Sequence, residues 1–61
     1  MTLPPFHVGD YVRVVETGAV GVVVELFVRH QSADVDLGDG ITAELDWTEL
    51  ELVKPVTPPP S

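Results

Sequence analysis

The stretch VDLGDGITAELDW, residues 35–47, predicts a β-hairpin, although its acids and glycines also resemble a metal-binding loop. Apolar and polar residues alternate on both sides of residues 38–40, a pattern typical of strands with one buried face. Gly38 and Gly40 can adopt the positive φ that a tight connection requires. A calcium loop counted from Asp34 would need oxygen ligands at Gly38 and Leu45. The acids are therefore interpreted as the solvated face and tip of a hairpin, and no metal site is predicted.

Outside this hairpin, the chain contains further short apolar runs separated by turn residues, with no helical period long enough for a stable helix. Gly18 is predicted to make a bend. The short polar segment 46–49 around Trp47 predicts a single 3-10 turn. The predicted strands span residues 11–15, 21–28, 33–37, 41–45 and 50–53.

Alternation along each predicted strand assigns side chains to faces. Val12 and Val14 are expected to face the core. In the second strand, the charge of Glu25 is taken to face water, which places Val23 and Phe27 outside with it. Gly21 is expected to let a neighbouring backbone pass closely. The other residues predicted to face the core are Val20, Val22, Val24, Leu26, Val35, Leu37, Ile41, Ala43, Leu45, Leu50 and Leu52.

Length and composition predict one small, acidic, globular domain. The chain has 61 residues, 44% of them hydrophobic, a net charge of −7 and no cysteine. A domain of this size has a narrow stability margin, and self-association is a common source of further stability. Three basic residues against ten acids disfavour a phosphate-binding surface. Without a long apolar run or a basic leader, the expected protein is soluble and cytoplasmic, with no membrane contact.

The prolines define the expected domain limits. Residues 1–5 are predicted to be a flexible N-terminus, residues 6–53 the folded barrel, and residues 54–61 a proline-rich disordered tail. The tail contains a P-x-x-P pattern at Pro55 and Pro58, a type of segment that docks in aromatic grooves. A solvated tail is the competing interpretation.

The five predicted strands, with a 3-10 turn before the last, look like an all-β, SH3-like five-stranded small barrel. Within that class, residues 8–14 (VGDYVRV) and 20–26 (VGVVVEL) are similar to the glycine and valine pattern of KOW and Tudor-like domains. The resemblance covers residues 6–53 and implies a module that binds nucleic acid or protein. Such patterns specify a fold more than a task.

A more distant resemblance is to the plasmid-borne dihydrofolate reductase, an oligomeric barrel with a catalytic pore, through residues 9–13 and 50–51. Residues 42–45 do not match its pore motif, and an acidic pore would repel an anionic cofactor and substrate. The photosystem I barrel subunit is similar only in short valine motifs. His7 and His30 lack ligand spacing, and Ser32 lacks a catalytic partner in sequence, so no catalytic residue, metal or cofactor is predicted.

The sequence thus predicts a non-catalytic protein-binding or assembly module whose partner is another protein or a second copy of the chain. An apolar, partly charged outer face would carry the contacts. A KOW-like nucleic-acid or transcription adaptor, with Arg13 and Arg29 on phosphates, is the first alternative, and the pore-type enzyme is the second. The predicted contact residues are Tyr11, Arg13, Val23, Phe27 and Trp47.

Overall fold

The computed structural model describes residues 3–38 and 40–55, which form one antiparallel β-sheet. The all-β prediction is confirmed, and in this part of the chain the 3-10 turn is the sole helical element. The strands lie in the order β4-β3-β2-β1-β5, and the sheet is not closed. The elements are β1 (Tyr11–Val14), β2 (Val20–Phe27), β3 (Ser32–Gly38), β4 (Ile41–Asp46), the 3-10 turn (Trp47–Glu49) and β5 (Leu50–Lys54).

The core lies on one face of this sheet and is covered by side chains from two segments outside the strands. Phe6, which precedes β1, and Trp47, from the 3-10 turn, both pack against the buried valines of the strands. Burial of each such side chain stabilises the fold by about 1.5–3 kcal/mol. The buried apolar residues are Phe6, Val12, Val14, Val23, Ala33, Val35, Trp47 and Leu50.

The predicted faces of β2 are wrong over its first half. Val23 is only 1% exposed and lies on the core face, whereas Val20 and Val24 are exposed. Val12, a core residue, is paired with Gly21, and paired residues point to the same face. The β2–β3 register shifts between Val23 and Glu25, which marks a β-bulge.

This bulge explains why the predicted faces of the first half of β2 are wrong. An extra residue in one strand reverses its alternation, so the face of Glu25 does not predict the face of Val23. Beyond the bulge the prediction holds, because Glu25 is exposed and Leu26 packs against the core.

Three leucine and isoleucine positions predicted to be inside are largely exposed. Leu37 is at the end of β3, Ile41 begins β4, and Leu52 lies on the edge strand β5. Leu52 is paired with the core residue Val12, so its direction is as predicted. Strand ends and edges are covered by less of the chain than central positions are, so correct alternation there does not ensure burial.

The hairpin interpretation of the acidic glycine stretch is confirmed. β3 and β4 pair antiparallel from Ser32–Asp46 to Gly38–Ile41. Gly38 and Gly40 have φ values of 107° and 72°, in the region that favours glycine. The Asp36 Oδ1 atom accepts a hydrogen bond from the Gly38 amide at 2.9 Å. Asp36, one of the acids of the stretch, therefore stabilises the turn.

The chain ends of the structure bear only in part on the predicted domain limits. β5 continues to Lys54, one residue beyond the predicted limit of the last strand. The predicted disordered tail falls mostly in residues 56–61, which lie outside the described residues. In residues 3–38 and 40–55, no helix is long and apolar enough to cross a membrane.

Candidate functional site

The face of the sheet opposite the core carries exposed apolar side chains, among them Tyr11 and Val20. Strand register places residues in rows that cross the sheet at about 5 Å per strand. One row crosses all five strands through Lys54, Tyr11, Val22, Asp36 and Thr42. Tyr11 thus lies next to the point where β5 ends.

A shallow cleft opens on this row, across β1, β2 and β3. Its cavity volume is about 260 Å³, and its lining is mainly apolar. Tyr11 is 46% exposed and Val20 is 50% exposed. Gly21 and Gly38 contribute no side chains to it. The residues that line it, here called the Tyr11 cleft, are Tyr11, Val20, Gly21, Val22, Asp36, Leu37 and Gly38.

Arg13, the second predicted contact residue, forms an ion pair with Glu51 on β5. The two residues are paired across the strands, and both side chains are about half exposed. Exposed pairs of this kind contribute about 0–1 kcal/mol to stability. Glu51 neutralises the Arg13 charge, so a phosphate that bound Arg13 would have to compete with this carboxylate.

Val23 and Phe27 do not join the exposed surface as predicted. Val23 is a core residue, so the prediction that it faces outward is wrong. Phe27 is half-buried and opposite Ser32, several residues along β2 from the Tyr11 cleft. The structure therefore does not bring the five predicted contact residues together in one surface.

Trp47 is mainly a core residue. It is 8% exposed, and its indole Nε1 donates a hydrogen bond to the Ser32 carbonyl at 2.9 Å. Its backbone amide donates to the Gln31 carbonyl at 2.9 Å. A second shallow cleft of about 210 Å³ is lined by Trp47 and its neighbours His30, Gln31, Asp46 and Thr48. Trp47 thus fixes the 3-10 turn to the start of β3.

The outer face of β2, β3 and β4 is acidic. Glu25, Asp34 and Glu44 form one row across these strands. Like charges opposite each other repel, although the Ser32 hydroxyl donates to Glu44 Oε2 at 2.7 Å. In the described part of the chain, no group of three or more acidic or histidine side chains is arranged to hold a metal ion.

Asp10 is a buried polar residue that the motif analysis did not single out. It is 2% exposed, and its Oδ2 accepts a hydrogen bond from the His7 amide at 2.8 Å. Its own amide donates to the His7 carbonyl at 3.0 Å, which closes the turn before β1. The Gly9-Asp10 pair ahead of an apolar strand was the available signal, because aspartate often bonds nearby backbone in turns.

Two cleft residues, Val20 and Val22, lie on the outer face although both were predicted to face the core. Leu37, which was also predicted to face the core, is exposed at the end of β3. Counting alternation from Tyr11 through the β1–β2 register would have placed Val20 and Val22 correctly, since Tyr11 is paired with Val22 and Arg13 with Val20. That register is a tertiary contact and is not encoded in the local pattern.

Comparison with known proteins adds no family to this description. No protein-family model matches the chain, and searches of characterised proteins and of solved structures found no significant match.

Proposed function

We propose that this chain is a small, non-catalytic assembly module that associates with a second copy of itself through the Tyr11 cleft. The proposal includes the SH3-like architecture that the resemblance implied, since that class commonly serves as a binding module. The observation that supports it is the grouping of exposed apolar side chains, from Tyr11, Val20 and Leu37, around one cleft.

The energetic argument comes from the size of the domain. A chain of 61 residues has a small core, and exposed apolar surface costs about 25 cal/mol per Å² relative to burial. Partners that bind only the folded state also stabilise it. Association through the cleft would therefore remove apolar surface from water and add to a narrow stability margin.

Charge distribution favours the same part of the face. The acidic row on β2, β3 and β4 would repel the equivalent row of a second copy. At the cleft, Arg13 is neutralised by Glu51, and Lys54 is the neighbour of Tyr11 on β5. Asp36 also lines the cleft, from β3. Contact centred on β1 and β2 therefore meets less electrostatic repulsion than contact that extends over β3 and β4.

Replacing Val20 with aspartate is expected to weaken self-association at least about tenfold, which corresponds to about 1.4 kcal/mol. The substitution places a charge in the apolar cleft at a side chain that is already half exposed, so folding should be preserved. The measurement is solution mass by light scattering, from micromolar to near-millimolar protein.

Val28→Asp is the matched control. Val28 is also 50% exposed but lies in the turn between β2 and β3, outside the Tyr11 cleft. It should leave the association unchanged. A parent chain that is monomeric at every concentration would contradict the proposed function, and equal effects of the two variants would place the interface elsewhere.

Salt is expected to strengthen the self-association. Each copy carries a net charge of −7, so two copies repel, and ions screen that repulsion. The dissociation constant should fall when sodium chloride rises from about 50 mM to about 500 mM. Nucleic-acid binding has the opposite dependence, because salt weakens phosphate contacts. Nucleic-acid binding at low salt that salt abolishes, with a monomeric chain throughout, would favour the adaptor alternative.

A further inference from the structure

We infer that the free edge of β4 binds an extended, basic segment of another protein, which pairs antiparallel with β4 and continues the sheet. This inference goes beyond the proposed self-association, because the lining of the Tyr11 cleft comes from β1, β2 and β3 alone. β4 is the first strand in the sheet order, and among the described residues its one strand partner is β3. An edge strand presents unpaired backbone groups that can bond an added strand.

Alternate residues of β4 bond to β3, which leaves the others to face the free edge. In an antiparallel ladder, directly opposite residues alternate between pairs that exchange hydrogen bonds and pairs that do not. The Trp47 amide donates to the Gln31 carbonyl at 2.9 Å. Counting back from Trp47 in steps of two, Leu45 and Ala43 bond to β3 as well.

Thr42 and Glu44 therefore direct their backbone amides and carbonyls away from β3. The Asp46 amide follows the same alternation, and it donates to Glu49 Oε2 of the 3-10 turn at 3.2 Å, which agrees with that direction. The Glu49 carboxylate thus occupies one end of the edge. A partner strand can exchange hydrogen bonds with Thr42 and Glu44 and is expected to end opposite Asp46.

The two edges of the sheet differ in how well they can accept a strand. β5 has a register shift against β1, ends in Lys54 and is followed by Pro55. Irregular pairing, lysine and proline each discourage the addition of a strand. β4 pairs with β3 without a register shift from Thr42 to Asp46, and it contains no proline or lysine. β4 is therefore the better edge for a partner.

Acidic side chains at this edge favour a basic partner. Glu44 is exposed, and Asp34 lies directly opposite it on β3. The hydroxyl of Ser32, a residue that is 2% exposed, donates to Glu44 Oε2 at 2.7 Å and holds this carboxylate in place. Opposite residues of neighbouring strands share a face, so a lysine paired with Glu44 would lie on the same face as both carboxylates.

The other face of β4 favours apolar residues in the partner. Ala43 and Leu45 are half-buried, and Leu45 packs against the core. A strand alternates its side chains between two faces, so the partner residues next to the basic ones would extend this apolar surface. The expected segment therefore alternates basic and apolar residues.

Charge makes a second copy the poorer occupant of this edge. Two β4 strands side by side would bring Glu44 and Asp46 of one copy close to the same acids of the other. Each copy also carries a net charge of −7. A basic segment is attracted by the same charges, so the partner is a different protein.

The probe is the peptide KVKVKVK, and EVEVEVE is its control. We expect KVKVKVK to bind the full chain and to shift the amide signals of Thr42 and Glu44 in isotope-labelled NMR, whereas EVEVEVE does not bind. Val20→Asp, which damages the Tyr11 cleft, should bind KVKVKVK no more weakly than the parent does, so a failure of self-association leaves this inference intact. Absence of binding at near-millimolar KVKVKVK would overturn it.

Methyl groups on the peptide amides test the strand pairing without altering the protein. Lysines opposite Thr42 and Glu44 turn their amides towards β4, whereas the valine amides face away. Methylation of the lysine amides should weaken binding at least about tenfold, and methylation of the valine amides should leave it nearly unchanged. Equal losses from the two modifications would overturn pairing with β4.

Glu44→Gln tests the charge of the edge and keeps a side-chain oxygen for the Ser32 hydroxyl. Binding of KVKVKVK should weaken about threefold, as is usual for loss of an exposed ion pair. Glu16→Gln, at an exposed position in the turn between β1 and β2, is the matched control and should leave the affinity unchanged. Equal losses would show unspecific attraction to an acidic chain and overturn the inference. Shifts at Thr42 and Glu44 when the parent is concentrated without peptide would place a second copy on the edge and also overturn it.

Discussion

Gly21→Ala is expected to lower the free energy of unfolding by about 3 kcal/mol, which removes most of the stability of this domain. A methyl group at this position would lie 2.5 Å from the Asp36 carbonyl oxygen and 2.6 Å from Val35 Cγ1. The carbonyl oxygen belongs to the backbone of β3, so relief requires that β2 and β3 separate. A domain this small has only about 3–5 kcal/mol of stability to lose.

Urea unfolding measures this effect, with the fluorescence of Trp47, the single tryptophan, as the signal. Gly18→Ala is the matched control, since it has a φ of 78° but nothing within 4 Å of the added methyl group. Its cost should be about 1–2 kcal/mol, from backbone conformation alone. Equal unfolding midpoints for the two variants would show that β2 and β3 can move apart at little cost.

Trp47→Ala is expected to cost about 3–5 kcal/mol, the usual range for removal of a buried large aromatic side chain. The indole fills the core between the 3-10 turn and the strands, and it satisfies the Ser32 carbonyl. Circular dichroism during urea unfolding is the appropriate measurement, because this substitution removes the fluorescent residue.

Two further variants show how much of this cost comes from the hydrogen bond of Trp47, and whether Trp47 acts in core packing or in binding. Trp47→Phe keeps an aromatic ring but leaves the Ser32 carbonyl without its donor, at about 1–3 kcal/mol. Tyr11→Ala removes an aromatic side chain that is 46% exposed and should cost less than either. If Trp47→Ala destabilises the chain no more than Tyr11→Ala does, the core role of Trp47 is wrong and its predicted role as a contact residue is favoured.

Local sequence placed some of the predicted contact residues correctly, whereas tertiary contacts decided the environment of the others. Tyr11 and Arg13 were predicted to be outside, and both are, because β1 is short and pairs with β2 without a register shift. Val23 was misplaced because the bulge in β2 reverses the alternation between Glu25 and Val23. Trp47 was correctly placed at a 3-10 turn, yet nothing local indicated that its indole would bond the Ser32 carbonyl, 15 residues away.

The sequence by itself determined the strands, the 38–40 turn and the 3-10 turn, because alternation, glycine and local polar side chains act within a few residues. It also indicated a close approach at Gly21. Only the tertiary structure decided which face of β2 is buried and which side chains form the Tyr11 cleft. Register between strands is set by packing over the whole sheet, and a single bulge reverses the faces without leaving a signal in the residues that form it.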